Sequence, residues 1–171
     1  VREIVVESLA AQDDPMETLK IENLVLAAPD LDVKIASVRI GAERVYLGVN
    51  KSTIYVSKHD KAVGLSEWLF GDNARLGTLR VDDLTPTQKH NFELLQTPNI
   101  IDARVRPSGN SHSYFRKDPA VSSDLILLLR YGRKPGVENG RPLEAVAPSF
   151  WALDDRYPQL PDENDTEAET P

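Results

Sequence analysis

The sequence predicts an α/β protein with a parallel sheet, because short apolar strands alternate with helical segments along the chain. Residues 21–29 form a continuous apolar run closed by Pro29, which is typical of a strand buried on both faces of a parallel sheet. Residues 53–57 are rich in β-branched and aromatic side chains, and residues 99–105 show a third strand pattern. Strands that alternate with helices form parallel βαβ units. We therefore expect three parallel strands, adjacent in chain order, within three layers.

Helical patterns flank these strands. Thr85-Pro86-Thr87-Gln88 has the form of a capping box, and Asp118-Pro119 is a second helix start. Helices are predicted over residues 1–11, 61–70, 86–95 and 119–130, and residues 31–45 favour a fifth. Beyond Tyr131 the chain is rich in glycine and proline, and we expect Phe150, Trp151 and Leu153 to dock this end on the body.

The domain organisation is one folded unit followed by a tail. The chain has 171 residues, of which 40% are hydrophobic, so residues 1–160 suffice for a core. Residues 161–171 hold five acidic side chains and nothing apolar larger than alanine, which predicts a disordered acidic tail. The chain opens on Val1 in a helical pattern, and three strands would leave an exposed apolar inner edge. Both features predict that this unit is the C-terminal part of a larger domain whose N-terminal half lies upstream.

Composition excludes several functional classes. The formal net charge is −7, which argues against a nucleic-acid or anionic-membrane binder. No apolar run approaches the roughly 20 residues of a transmembrane helix. Cysteine is absent, which excludes a disulfide framework and a thiolate nucleophile. No targeting signal is visible, so the compartment stays open, with the cytoplasm as the default.

Candidate functional residues follow the carboxyl ends of the predicted strands, where parallel sheets bind ligands. The first strand leads to Asp30 and Asp32, the second to Asp60, and the third to His112. A histidine that transfers protons needs a carboxylate at its far nitrogen to orient it. An acid after one strand and a histidine after the next provide that arrangement.

Four short motifs occur in order along the chain: residues 24–32, residues 54–57 with Asp60, residues 112–115, and residues 121–125. In this order and spacing they resemble a little-characterised family of esterase- or lipase-like α/β-hydrolases, over roughly residues 1–130. In that fold the catalytic triad runs in the order nucleophile, acid, histidine, with the acid after the seventh strand and the histidine after the eighth. The resemblance implies that Asp60 is the acid and His112 the base, that the chain holds the last three strands, that a small ester or acyl compound is the substrate, and that no metal or other cofactor is needed.

The chain departs from the family at the nucleophile. No G-x-S-x-G elbow is present: around Ser66 a tryptophan stands where glycine belongs, and around Ser111 the final glycine is a serine. The family places the elbow just before a helix like residues 1–11. The nucleophile and the oxyanion hole are therefore expected upstream of Val1, and this chain alone is expected to be inactive.

Other interpretations stay open for each residue. Asp60 has the position of a helix N-cap, and His112, like His59 and His90, is compatible with a surface histidine. Asp32 is an alternative acid. Asp30 and Asp32 also form a D-x-D pair of the kind that binds metal in phosphatases, although such residues more often cap a helix. The rival to a serine hydrolase is a non-catalytic α/β interaction module, which explains the missing elbow directly.

Overall fold

The computed structural model describes residues 1–29, 43–57, 98–105 and 114–159, which form a five-stranded sheet with helices. The helices are α1 (Arg2–Ala10), α2 (Pro15–Leu19), α3 (Tyr114–Lys117) and α4 (Pro119–Leu129). The strands are β1 (Ile21–Ala27), β2 (Val49–Val56), β3 (Asn99–Arg104), β4 (Glu144–Ala147) and β5 (Phe150–Asp154). Short 3₁₀ helices span Val45–Gly48 and Val137–Asn139.

The strand order is β1-β2-β3-β5-β4. β1 pairs with β2, β2 with β3, and β3 with β5, all in parallel, while β4 joins β5 antiparallel. Leu26 stands opposite Ile54, and Tyr55 stands opposite Ile101. The predicted α/β fold is confirmed, as is the prediction that its three strands are parallel neighbours in chain order.

The expectation of only three strands was wrong. Phe150 and Leu153 are buried, as expected of residues that dock the C-terminal end on the body. They belong, however, to the strand β5, which pairs with β3 along its whole length. β4 and β5 are four and five residues long and follow a segment rich in glycine and proline. Their strand conformation depends on pairing with a strand distant in sequence, which local patterns do not reveal.

Helix α4 covers one face of the sheet and begins where the sequence predicts. The Asp118 side chain accepts hydrogen bonds from the amides of Ala120 (2.9 Å) and Val121 (3.2 Å), with proline at the first helical position. After the helix, Gly132 adopts a φ of +63° and its amide bonds to the carbonyl of Leu128. The buried core under this helix comprises Tyr55, Ile101, Ala103, Val121 and Leu153 among others.

Helices α1 and α2 are held against the start of β2 by a close approach at Gly48. A Cβ atom at this position would lie 2.5 Å from Val5 Cγ2 and 2.7 Å from Leu19 Cδ1, closer than real contacts allow. Glycine therefore lets both helices contact the 3₁₀ helix that precedes β2.

Because side chains alternate along a strand, Ile54 lies on the face of the sheet opposite to Tyr55 and the core under α4. There it lines a small apolar cavity with Leu24, Leu26 and Tyr46.

Several predicted segments lie outside the described residues. These are the helices over 61–70 and 86–95, most of the segment 31–45, the loop from 106 to 111 and the tail from 161 to 171. In the part of the chain that the structure describes, no helix is long and apolar enough to cross a membrane.

Candidate active site

The three strands that precede the candidate catalytic residues end side by side. Ala27 of β1 stands opposite Tyr55 of β2, and Val56 of β2 stands opposite Asp102 of β3. The amide of Ala28 donates to the carbonyl of Tyr55 at 3.1 Å, which extends the pairing of β1 and β2 by one residue. Neighbouring strands lie about 5 Å apart. The carboxyl edge of the sheet thus brings the exits of β1, β2 and β3 together.

The predicted site residues themselves, Asp30, Asp32, Asp60 and His112, lie outside the described residues. The described chain ends at Pro29, directly before Asp30, and at the buried Ser57, three residues before Asp60. It resumes at Tyr114, two residues after His112. The structure therefore positions the strands that precede these residues in the sequence, and the triad assignment stays a prediction.

The segment that follows His112 is firmly attached to the body. Helix α3 begins two residues after it and packs against α4. Phe115 of α3 packs on the hydrophobic core, and the guanidinium of Arg116 lies 5.6 Å from its ring centre. Asp118, which joins the two helices, is only 7% exposed. The described chain is thus attached to the body from α3 onward.

Beneath this edge lies a buried ion pair that the sequence analysis did not identify. Arg141, in the loop before β4, donates from Nε to Asp124 Oδ1 at 2.8 Å and from Nη2 to Oδ2 at 2.7 Å. Both residues are 0% exposed. Such a bidentate salt bridge supplies two charge-assisted hydrogen bonds in a fixed geometry.

Two tyrosines complete the arrangement. The Tyr55 hydroxyl donates to Asp124 Oδ2 at 2.6 Å, and the Tyr157 hydroxyl donates to Oδ1 at 2.5 Å. Arg141 Nη2 also donates to the Tyr55 hydroxyl oxygen at 3.2 Å. These four residues, called the Asp124 cluster below, join β2, α4, the loop before β4 and the turn after β5. The available signal in the sequence was an aspartate on the apolar face of α4, one turn after Val121 and one turn before Leu128.

The electrostatics of the Asp124 cluster follow from its burial. Burial raises the pKa of both tyrosine hydroxyls far above their usual range, and the negative charge of Asp124 raises it further. Burial alone would lower the pKa of Arg141, but its hydrogen bonds and its attraction to Asp124 keep that pKa raised. Both tyrosine hydroxyls are therefore neutral at neutral pH, and the Arg141 guanidinium is charged. Its buried atoms serve to hold elements together.

This burial predicts a stability loss at alkaline pH. An unfolded tyrosine ionises near pH 10, whereas Tyr55 and Tyr157 keep their protons in the folded chain. Their contribution is fully present below pH 10 and falls as the pH rises above it, by at most about 1.4 kcal/mol per pH unit for each hydroxyl. Urea unfolding at pH 8 and at pH 11 measures the fall, which should be smaller in the double variant Tyr55→Phe, Tyr157→Phe. The control is Tyr131→Phe at an exposed position; equal falls in both variants would contradict the prediction.

Among the described residues, no group of three or more His, Asp or Glu side chains lies close enough together to hold a metal ion. The D-x-D pair of Asp30 and Asp32 lies outside them.

The mostly parallel five-stranded sheet with its helices defines an α/β fold. Comparison with family models identifies it further: the chain belongs to the family described as alpha/beta hydrolase of unknown function (DUF900), whose model matches residues 2–130. No curated protein and no solved structure matched the chain. The resemblance seen in the sequence is thereby confirmed at the level of the family. The match ends before Arg141, before Tyr157 and before both strands β4 and β5.

Proposed function

We propose that this chain is the acid- and base-bearing part of a serine hydrolase that cleaves an ester or related acyl bond in a small molecule. The observation that carries the proposal is the parallel arrangement of β1, β2 and β3 in a member of an α/β-hydrolase family. β2 leads to Asp60 and β3 leads to His112, so an acid and a histidine follow adjacent strand ends.

The proposed division of labour follows from the chemistry of the two groups. His112 takes the proton from a serine hydroxyl as that oxygen attacks the acyl carbon, and then gives the proton to the leaving group. Asp60 accepts a hydrogen bond from the far ring nitrogen, which fixes the tautomer and stabilises the imidazolium. Asp32, which follows β1, is the alternative acid. No metal or other cofactor takes part in these steps.

The nucleophile is proposed to come from a segment that precedes α1. Among the described residues β1 pairs on one side only, with β2. Asn23 on this strand has a buried side-chain oxygen for which the described part of the chain offers no hydrogen-bond partner. Ile4 and Val6 of α1 are about 40% exposed. An open strand edge next to an incompletely covered helix suits a further strand and helix, which would bring the elbow and the oxyanion donors.

The rival proposal is a non-catalytic interaction module, and the absence of a G-x-S-x-G elbow from this chain favours it. The two proposals differ in what a longer gene product should do. A module has no acyl-enzyme chemistry at any length, whereas a hydrolase gains it once the elbow is included.

Ester turnover by two lengths of the protein tests the proposal. Residues 1–171 alone should not hydrolyse an activated ester such as p-nitrophenyl acetate, since an acid and a base without a nucleophile form no acyl-enzyme. A chain extended upstream through a G-x-S-x-G elbow should hydrolyse it and should be labelled by a serine-directed fluorophosphonate. Each missing oxyanion donor alone accounts for on the order of 100-fold or more in rate. Turnover and labelling of the short chain would return attention to Ser66 and Ser111, and an inactive long chain would favour the interaction module.

A further inference from the structure

The Asp124 cluster connects β2, which precedes the candidate acid in the sequence, to α4, which follows the candidate base. Tyr55 lies in β2, five residues before Asp60, and Asp124 lies in α4, twelve residues after His112. The 2.6 Å hydrogen bond between Tyr55 and Asp124 therefore joins the strand that leads to the acid to the helix that follows the base.

We propose that Asp124 and Arg141 are positioning residues of the hydrolase, which hold α4, and with it the His112 segment, in one register against β2. This inference rests on the proposed function, because it assigns the cluster a role through His112. Asp124 and Arg141 lie outside the proposed triad and are fully buried, so they are proposed to act through other residues.

The geometry allows α4 a single register. Asp124 Oδ1 accepts from Arg141 Nε and Tyr157, and Oδ2 accepts from Arg141 Nη2 and Tyr55. Four donors thus occupy a carboxylate that has about four acceptor sites. A shift of α4 by one helical turn, about 5.4 Å, would separate Asp124 from all four donor atoms and leave buried charges unpaired. Such a shift is excluded while the cluster is intact.

Helix α3, which follows His112 in the sequence, is closely coupled to α4. Asp118 caps α4 and joins it to α3, which packs against α4 and begins two residues after His112. Phe115 packs on the same core as Val121 of α4. A displacement of α4 would therefore move α3, whose first residue lies two positions after His112 in the sequence. A misplacement of about 1 Å at a reacting group costs on the order of 100-fold in rate.

The segment after residue 130 contributes two residues to the Asp124 cluster. Arg141 and Tyr157 both lie beyond residue 130, where the family match ends. The backbone of Arg141 is held in place by paired hydrogen bonds with Gly136, at 2.9 and 3.2 Å. Residues that the family model does not cover thus supply two of the three partners of Asp124.

The imidazole signal of His112 in an NMR spectrum tests positioning in residues 1–171, without any need for catalysis. The chain has three histidines, so His59→Gln and His90→Gln variants assign the signal. Arg141→Met should shift or split the His112 signal, and Arg141→Lys, which keeps the charge, should bring it back towards its original position. The matched control is Ile54→Ala, a buried change on the opposite face of β2 that leaves the cluster intact. An unchanged signal in Arg141→Met, or an equal change in Ile54→Ala, overturns the inference.

A milder variant covers the case in which Arg141→Met does not fold. Tyr157→Phe removes only the hydroxyl that donates to Asp124 Oδ1. It should move the His112 signal in the same sense by a smaller amount, and no movement would count against positioning.

Kinetics in the longer, elbow-containing chain give the second readout. Arg141→Met should lower kcat on the order of 100-fold with KM little changed, since the cluster acts on the base and not on the substrate. Arg141→Lys should recover part of kcat. A rise in KM with kcat unchanged would overturn the inference. Failure of the proposed function is distinct, because a long chain that retains activity after His112→Ala would remove the triad and leave the NMR result on positioning to stand.

Discussion

Replacing His112 by alanine in the elbow-containing protein is expected to reduce ester turnover to background, a loss on the order of 10⁴-fold in kcat. The imidazole is proposed to take the serine proton and return it to the leaving group, and no other histidine follows β3 closely in sequence. Without a base, the serine stays protonated and attacks the ester slowly. Stopped-time assays with p-nitrophenyl acetate, on protein confirmed as folded by circular dichroism, measure the loss.

Two further variants make the result specific to position 112. His90→Ala removes a histidine that is expected at the surface, so it should leave turnover unchanged. Asp60→Asn should cost less than His112→Ala, because water or Asp32 partly orients the ring. A long chain as active with alanine at 112 as with histidine would remove His112 from the mechanism.

Arg141→Met is expected to destabilise the chain by about 3–5 kcal/mol, the largest stability effect that we predict for one substitution. The reason is that methionine fills the space of the arginine stem but leaves the Asp124 carboxylate buried without its counter-ion. Both members of this pair are at most 1% exposed, so water cannot replace the lost contacts. Equilibrium unfolding in urea, with the midpoint and slope fitted separately, gives the free energy of unfolding.

The control for this prediction is Arg104→Gln. Arg104 pairs with Asp102 at 3.0 Å, but its side chain is 42% exposed. A pair of this kind contributes about 0–1 kcal/mol, so the control should lie near the wild type. An Arg141→Met variant no less stable than Arg104→Gln would show that the Asp124 cluster does not hold the fold together.

Local sequence patterns predicted the elements whose formation depends on neighbours in the chain. The proline-closed apolar run over residues 21–29 became β1, and Asp118-Pro119 capped α4 as expected. β5 was missed because its conformation depends on pairing with β3, far away in the sequence. The rule that helices and strands alternate then gave the parallel order of β1, β2 and β3, since the crossover geometry is restricted.

The candidate site also contains residues that the sequence predicts and residues that it does not. Asp60 and His112 were predicted from their position after strands and from the family resemblance, which the family model confirms only as a family. The Asp124 cluster could not be predicted from the sequence, because the partners of Asp124 lie 17, 33 and 69 residues away from it. A single aspartate in an apolar helix face indicates a buried partner, but it does not say which residue provides the opposite charge.

The distance between the Asp60 carboxylate and the nearer His112 ring nitrogen, in a crystal structure of the elbow-containing protein, tests the central claim most directly. The proposal predicts roughly 2.6–3.2 Å, somewhat longer in an unliganded site, with the other ring nitrogen facing a serine hydroxyl. Asp32 in place of Asp60 at that distance would reassign only the acid. A separation of more than about 8 Å from either carboxylate would contradict the triad, and with it the assignment of this chain as the acid- and base-bearing part of a serine hydrolase.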